Sequence, residues 1–186
     1  ATITITPVND APVATAVNSS GNEGETITTT LIATDVDESN SAGFSFSIVS
    51  QPENSNNNDD VVIGTPSYSS GTFTAVATYT HDGSEVASDS FTYRANDGEY
   101  NSSTATATIT ITAVNDAPVA SAVNGSGNEG GTITTTLTAT DVDDSNSAGF
   151  NFIIVSEPTN ITGSLSMGDV SYSSGTFTAV ATYTHD

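Results

Sequence analysis

The side chains in this sequence that could do chemistry are nearly all carboxylates, and they recur in a fixed order. Asp35-Val36-Asp37 puts two acids on one short stretch, with Glu38 beside them and Asn40 close behind. Asn9-Asp10 and Glu23 come before it, while Asp82, Glu85, Asp89 and Asp97 come after. Asn115-Asp116, Glu129, Asp141-Val142-Asp143 and Asn146 repeat the first part of this series 106 residues later. Two unit charges held 4 Å apart repel by about 4 kcal/mol at an effective dielectric near 20. The chain has little of its own to offset that: one Arg, Arg94, no Lys, and a formal net charge of -21. Ca²⁺ is the hard cation suited to such a set, taking about six to eight oxygens from carboxylates, amides and carbonyls. A competing explanation is that the acids are only solvated surface, as in proteins adapted to high salt. It accounts for the total charge but not for the same positions returning in the second copy.

Other chemistries find less support. His81 and His185 have no second His or Cys at ligand spacing, so a surface or capping role is expected rather than zinc binding or catalysis. No Gly-x-Ser-x-Gly elbow is present to activate a serine. A pair of acids could in principle cleave a glycosidic bond. Acids repeated in both copies suit a structural ion better, and no enzyme is expected. The negative surface repels phosphates and anionic lipid, which argues against nucleic acid as a partner and against membrane insertion. No apolar run approaches the roughly 20 residues of a spanning helix. Without Cys, each domain must be held by its core or by metal. Four N-glycosylation sequons begin at Asn18, Asn101, Asn124 and Asn160, which is modest evidence in a chain so rich in Asn, Ser and Thr.

The elements that must position these acids follow from the repeat. Val8-Asn9-Asp10-Ala11-Pro12-Val13 returns as Val114-Asn115-Asp116-Ala117-Pro118-Val119. Tyr68 to Phe73 returns at Tyr172 to Phe177 with an offset shorter by two residues. The deletion falls in the stretch opened by Gln51-Pro52 and Glu157-Pro158, where a variable surface loop is tolerated. Apolar residues alternate with Thr and Ser at a period of two, as in Phe73, Ala75, Ala77 and Tyr79, and no helical spacing competes. Strands are predicted near 12–17, 26–34, 44–50, 61–69, 72–80, 89–96 and 104–113, with Gly, Asn, Asp and Pro in the gaps. Seven short strands in about 100 residues predict an all-β, two-sheet sandwich with its loops gathered at two poles. The expected domains are a final strand of a preceding repeat at 1–7, a complete repeat at 8–113 and an incomplete one at 114–186. The sequence reads as a window on a longer array.

The order of motifs resembles cadherin-like tandem repeats of large bacterial and archaeal surface proteins and adhesins. Asn9-Asp10-Ala11-Pro12, Asn22-Glu23-Gly24, Ala33-Thr34-Asp35-Val36-Asp37 and Asn96-Asp97-Gly98 carry the likeness, together with the Thr-rich strand from Thr104 to Thr112. Tyr79 to Glu85 with Asp89 to Tyr93 is also similar to chondroitin-sulfate-proteoglycan-type repeats. The resemblance implies tandem seven-stranded Greek-key sandwiches of the immunoglobulin/cadherin kind, arranged end to end with Ca²⁺ at each junction. One junction would use Glu23, Asp82 and Glu85, then Asn115 and Asp116, then Asp141, Asp143 and Asn146. An upstream junction would use Asn9, Asp10, Asp35, Asp37, Asn40 and Asp97, and Glu129 repeats Glu23. The Asp-Arg-Glu motif of cadherins is absent, and Ala11 and Ala117 stand where the linker would carry a second Asn. Fewer ions per junction than in cadherins are therefore expected.

The function expected is a calcium-binding structural segment of an extracellular stalk or fibre, whose partners are the neighbouring repeats of its own chain. Two alternatives stay open. One is a surface filament completed by strand exchange between identical chains, and the other is a homophilic or glycan-binding adhesion module.

Overall fold

The computed structural model describes residues 1–56 and 61–186. The tip of the expected variable loop, at 57–60, lies outside the described residues. The chain forms two compact units, Ala1–Val114 and Asn115–Asp186.

In the first unit, alternation in the sequence becomes alternation in burial. Strand β3 (Thr26–Thr34) turns Ile27, Leu31 and Ala33 inward, and β7 (Thr72–Thr80) does the same with Phe73, Ala75, Ala77 and Tyr79. β8 (Ser88–Asn96) buries Phe91, Tyr93 and Ala95, and β9 (Ala105–Thr112) buries Ala105, Ala107, Ile109 and Ile111. Thr and Ser fill most outward positions, where a β-branched or small polar side chain suits a wet pleat.

Two sheets result. One has the order β1-β3-β7-β5, where β1 is Val13–Thr15 and β5 is Val62–Ile63; β6 (Ser67–Ser69) also pairs with β7. The other has the order β2-β9-β8-β4, with β2 at Val17–Asn22 and β4 at Ser45–Ser50. The chain crosses between sheets from β3 to β4, from β4 to β5 and from β7 to β8, an order consistent with the expected Greek key. Stacked Phe44 and Phe73, with centroids 3.7 Å apart, join the two sheets. Burying an aromatic or aliphatic side chain of this size stabilises by roughly 1.5–3 kcal/mol.

Two expected strands are split. The segment at 12–17 divides at Ala16: β1 pairs antiparallel with β3, while β2 runs parallel to β9 in the opposite sheet and extends to Asn22. That extension places Glu23 directly at the end of a strand. The segment at 61–69 is interrupted at Gly64-Thr65-Pro66, where proline has no amide to give the ladder. Between β6 and β7 the two-residue turn Ser70-Gly71 has positive φ at both positions, 49° and 84°. That conformation matches the twist of a tight hairpin.

In the second unit, β11 (Thr132–Thr140) and β14 (Thr176–His185) pair as β3 and β7 do. β10 (Val119–Ala120), β12 (Ile161–Met167) and β13 (Ser171–Ser173) complete that sheet. Phe150 and Phe177 repeat the aromatic stack at 3.8 Å. Residues 114–186 correspond to 8–82, so counterparts of β8 and β9 are not in this unit. Phe150 to Val155, which correspond to Phe44 to Val49, form no strand.

Candidate metal centre

The loop after β3 is built around Asp35. Its Oδ1 accepts the amides of Asp37 at 2.8 Å and Glu38 at 3.0 Å, closing the turn on itself. Such Asx turns are what short carboxylates favour just beyond a strand. Asp35 Oδ2 is buried and has no hydrogen-bond partner. Asp37 Oδ2 accepts the amide of Asp10 at 2.7 Å, bringing the segment before β1 against this loop.

Asn9, the preceding residue, reaches a third loop: its Nδ2 donates to Asp97 Oδ2 at 2.9 Å. Asp97 Oδ1 accepts the amides of Glu99 at 2.7 Å and Tyr100 at 2.6 Å. Burial opposes ionisation of Asp97, but the amides of Tyr100 and Glu99 and the side chain of Asn9 outweigh it. They hold its carboxyl below the ordinary range. Asn9, Asp10, Asp35, Asp37 and Asp97 therefore share one pole of the first unit. Asn40 is tied up locally, its Oδ1 accepting the amide of Ala42 at 2.9 Å.

The second unit repeats the clamp. Asp141 Oδ1 accepts the amides of Asp143 at 3.0 Å and Asp144 at 3.1 Å, and Asp143 Oδ2 accepts that of Asp116 at 2.6 Å. Asn146 closes its own turn on Ala148 at 2.9 Å. Asn115 differs from Asn9, donating to the carbonyl of Asp116 at 2.8 Å.

The opposite pole of the first unit gathers Glu23, Asp82 and Glu85. Glu23 is 7 % exposed; its Oε1 accepts the amide of Val114 at 2.6 Å, and its Oε2 is buried without a partner. Carboxylate oxygens of Glu23 and Glu85 lie within 4.8 Å of each other. Asp82 is engaged by Ser84, whose hydroxyl at 2.6 Å and amide at 2.9 Å hold its carboxyl below the ordinary range. Glu129, the counterpart of Glu23, is exposed.

Two nearby residues play parts that the sequence does not announce. Asp89 is buried and accepts three backbone amides, from Glu53 at 3.2 Å, Asn54 at 3.1 Å and Ser90 at 2.7 Å. His81, expected as a surface or capping residue, has no exposed surface, because it continues the inward-facing series of β7. It does cap, through Nδ1.

The donors are hard oxygens, and two of them, Asp35 Oδ2 and Glu23 Oε2, are buried and unpartnered. Among the described residues no carboxylate is paired with an Arg, and Arg94 bonds Ser47 instead. A divalent cation with a preference for oxygen fits this set. Among the described residues, no helix is long and apolar enough to cross a membrane.

Residues 9–111 match the family model of a bacterial Ig domain. No curated protein matches the chain. Solved structures similar to it include the Escherichia coli adhesin FdeC, at 17% identity and a TM-score of 0.34, with 96% of this chain and 57% of that one covered. The extracellular cadherin domains 1–5 of protocadherin gamma B2 align at 16% identity and a TM-score of 0.47, covering 97% of this chain and 34% of that one. An endo-fucoidan hydrolase of glycoside hydrolase family 107 aligns at 14% identity and a TM-score of 0.45, covering 98% and 25%. The chain spans from a quarter to just over half the length of these three structures. Through the match over residues 9–111, the chain belongs to the bacterial Ig domain family.

Proposed function

We propose that this chain is a calcium-binding structural segment of an extracellular stalk or fibre, without a catalytic role of its own. One observation carries the reading. Asp35 Oδ2 is buried and unpartnered at a pole where hydrogen bonds join the segment of Asn9 and Asp10 to the loops of Asp37 and Asp97. That oxygen has no hydrogen-bond donor, and no Lys or Arg is there to pair it. Ca²⁺ would be held by Asp35, Asp37 and Asp97 in the first unit, and by Asp141 and Asp143 in the second. When bound it supplies charge neutralisation and a cross-link between loops. Glu23 and Glu85 offer a further pair of oxygens at the other pole. The bacterial Ig domain match supports an extracellular or surface location as part of the same reading.

The test is thermal unfolding at low salt with chelator, Ca²⁺, Mg²⁺ or NaCl. Ca²⁺ is expected to raise Tm well above Mg²⁺, because Mg²⁺ requires near-ideal octahedral geometry and dehydrates reluctantly. Equal rescue by NaCl would mean charge screening alone and would remove the site-specific reading.

A further inference from the structure

His81 ends the inward-facing series of β7, and its imidazole is fully buried. The Nδ1 atom accepts two backbone amides at once, from Gly83 at 3.2 Å and from Gly24 at 3.4 Å. With Nδ1 as acceptor the ring proton belongs on Nε2, which is buried without a partner. The two amides belong to turns separated by almost sixty residues. Both glycines have positive φ, 66° at Gly24 and 84° at Gly83, which only glycine adopts without strain. A Cβ on either would lie 3.9 Å from the Cα of the other, so the two turns face each other closely.

The main chain of His81 joins the same knot, its amide donating to Glu25 at 3.0 Å. Glu23 precedes one of these glycines, and Asp82 and Glu85 flank the other. Glu23 is more than nine-tenths buried, with Oε2 unpartnered, which marks this pole as more than a solvated acidic patch.

We propose that His81 is the positioning residue of this pole: one imidazole nitrogen pins the two glycine turns together and so sets the distance between the Glu23 and Glu85 carboxylates. The imidazole is not a ligand. It acts through the backbone, much as residues beyond the coordinating atoms orient the ligands of a metal site. Without the acceptor, two amides lose their partner and the turns are free to separate. The oxygens now within 4.8 Å of each other then lose their register.

This inference rests on the calcium reading for its functional consequence, but its structural half can be tested alone. The full chain is compared with His81→Leu, which keeps a buried apolar side chain, and with His81→Asn, whose side-chain oxygen can occupy the place of Nδ1. Amide hydrogen exchange at Gly24 and Gly83, read by NMR without metal, should accelerate in the Leu variant and stay close to the parent in the Asn variant. Calorimetric titration with Ca²⁺ alone should show the binding step abolished by Glu23→Gln weakened about 10-fold or more in the Leu variant. That step should return in the Asn variant, while the step abolished by Asp35→Asn is unchanged throughout.

If the parent takes up no Ca²⁺, the calcium reading fails, and the exchange data still decide the role of His81. Unchanged exchange at both glycines in His81→Leu overturns the positioning role. Equal weakening of both Ca²⁺ steps, or a folded His81→Asn that binds no better than His81→Leu, also overturns it. If neither variant folds, the imidazole serves the core rather than the pole, and the proposal is equally refuted.

Discussion

The carboxylate of Asp37 holds the backbone amide of Asp10 at 2.7 Å, and Asp143 holds that of Asp116 in the same way at 2.6 Å. An acidic side chain thus grips the backbone of another acidic residue, twice, at equivalent places. The bond uses one carboxylate oxygen and brings a second carboxylate next to it. Under the proposed function a shared cation would offset the repulsion between the paired acids.

Asp35→Asn should therefore have two separable effects. The turn survives, because the amide oxygen of Asn can still accept from Asp37 and Glu38. In chelator the variant should match the parent or exceed it slightly in stability, having lost a buried, unpaired charge. In excess Ca²⁺ the parent should gain about 2–3 kcal/mol at roughly a hundred times its dissociation constant, and the variant much less. Urea unfolding with and without Ca²⁺ measures both. A variant gaining as much as the parent would remove Asp35 from the site.

The core could be read from the sequence because a strand buried on one face writes its environment every second residue. Phe73, Ala75, Ala77 and Tyr79 were placed correctly from that period alone. The sheet switch at Ala16 was not legible, since Val13 and Val17 keep the same alternation whichever sheet each joins. The Asp35-Val36-Asp37 loop stood out by type and repetition. What types could not show was the division of labour: Asn40 turns inward on its own loop, and Asp89 serves three amides of its neighbours. His81 caps as one of its two expected roles allowed, but its full burial was not legible, because a lone His at a strand end carries no sign of which way it faces.

Tyr93 provides a test of the sandwich itself. Its hydroxyl crosses from the second sheet to the first, donating to the carbonyl of Thr15 and accepting the amide of Ile32 at 3.3 Å. Burial pushes this phenol up from its ordinary value, so it remains protonated at neutral pH. Tyr93→Phe keeps the ring in the core but leaves those backbone groups without it. A loss of about 1–3 kcal/mol is expected, with faster exchange at the Ile32 amide. Ca²⁺ uptake should be untouched, as the residue lies between the sheets and not at a pole.

Asp97 predicts the acid side of the stability profile. Its folded-state carboxyl lies below the ordinary range, where amides of Tyr100 and Glu99 and the side chain of Asn9 favour the charged form over the burial that opposes it. A depressed folded value means that its contribution is present above the unfolded value, about 4. That contribution is lost as pH falls through the folded value. In chelator, the Tm of the parent should drop below about pH 4, and Asp97→Asn should flatten that part of the curve. An identical acid limb in both proteins would show that the titration lies elsewhere.

Asp89 separates acids that build the fold from acids proposed to hold an ion. It is buried like Glu23, but its carboxylate accepts three amides, two of them at Glu53 and Asn54 ahead of the variable loop. No part of that arrangement calls for a metal. Asp89→Asn keeps one acceptor oxygen, replaces the other with a donor, and sets that donor against amides that also donate. Hydrogen bonds to a charged group contribute about 1.5–3 kcal/mol each, so a loss of at least 2 kcal/mol is expected. The loss should be the same in chelator and in Ca²⁺, in contrast to Asp35→Asn, whose cost appears only with the ion. Measuring both variants in both conditions gives a two-by-two comparison in which the sign of each difference is fixed beforehand. If Asp89→Asn lost stability only in Ca²⁺, Asp89 would be a ligand and the division between the two kinds of acid would fail.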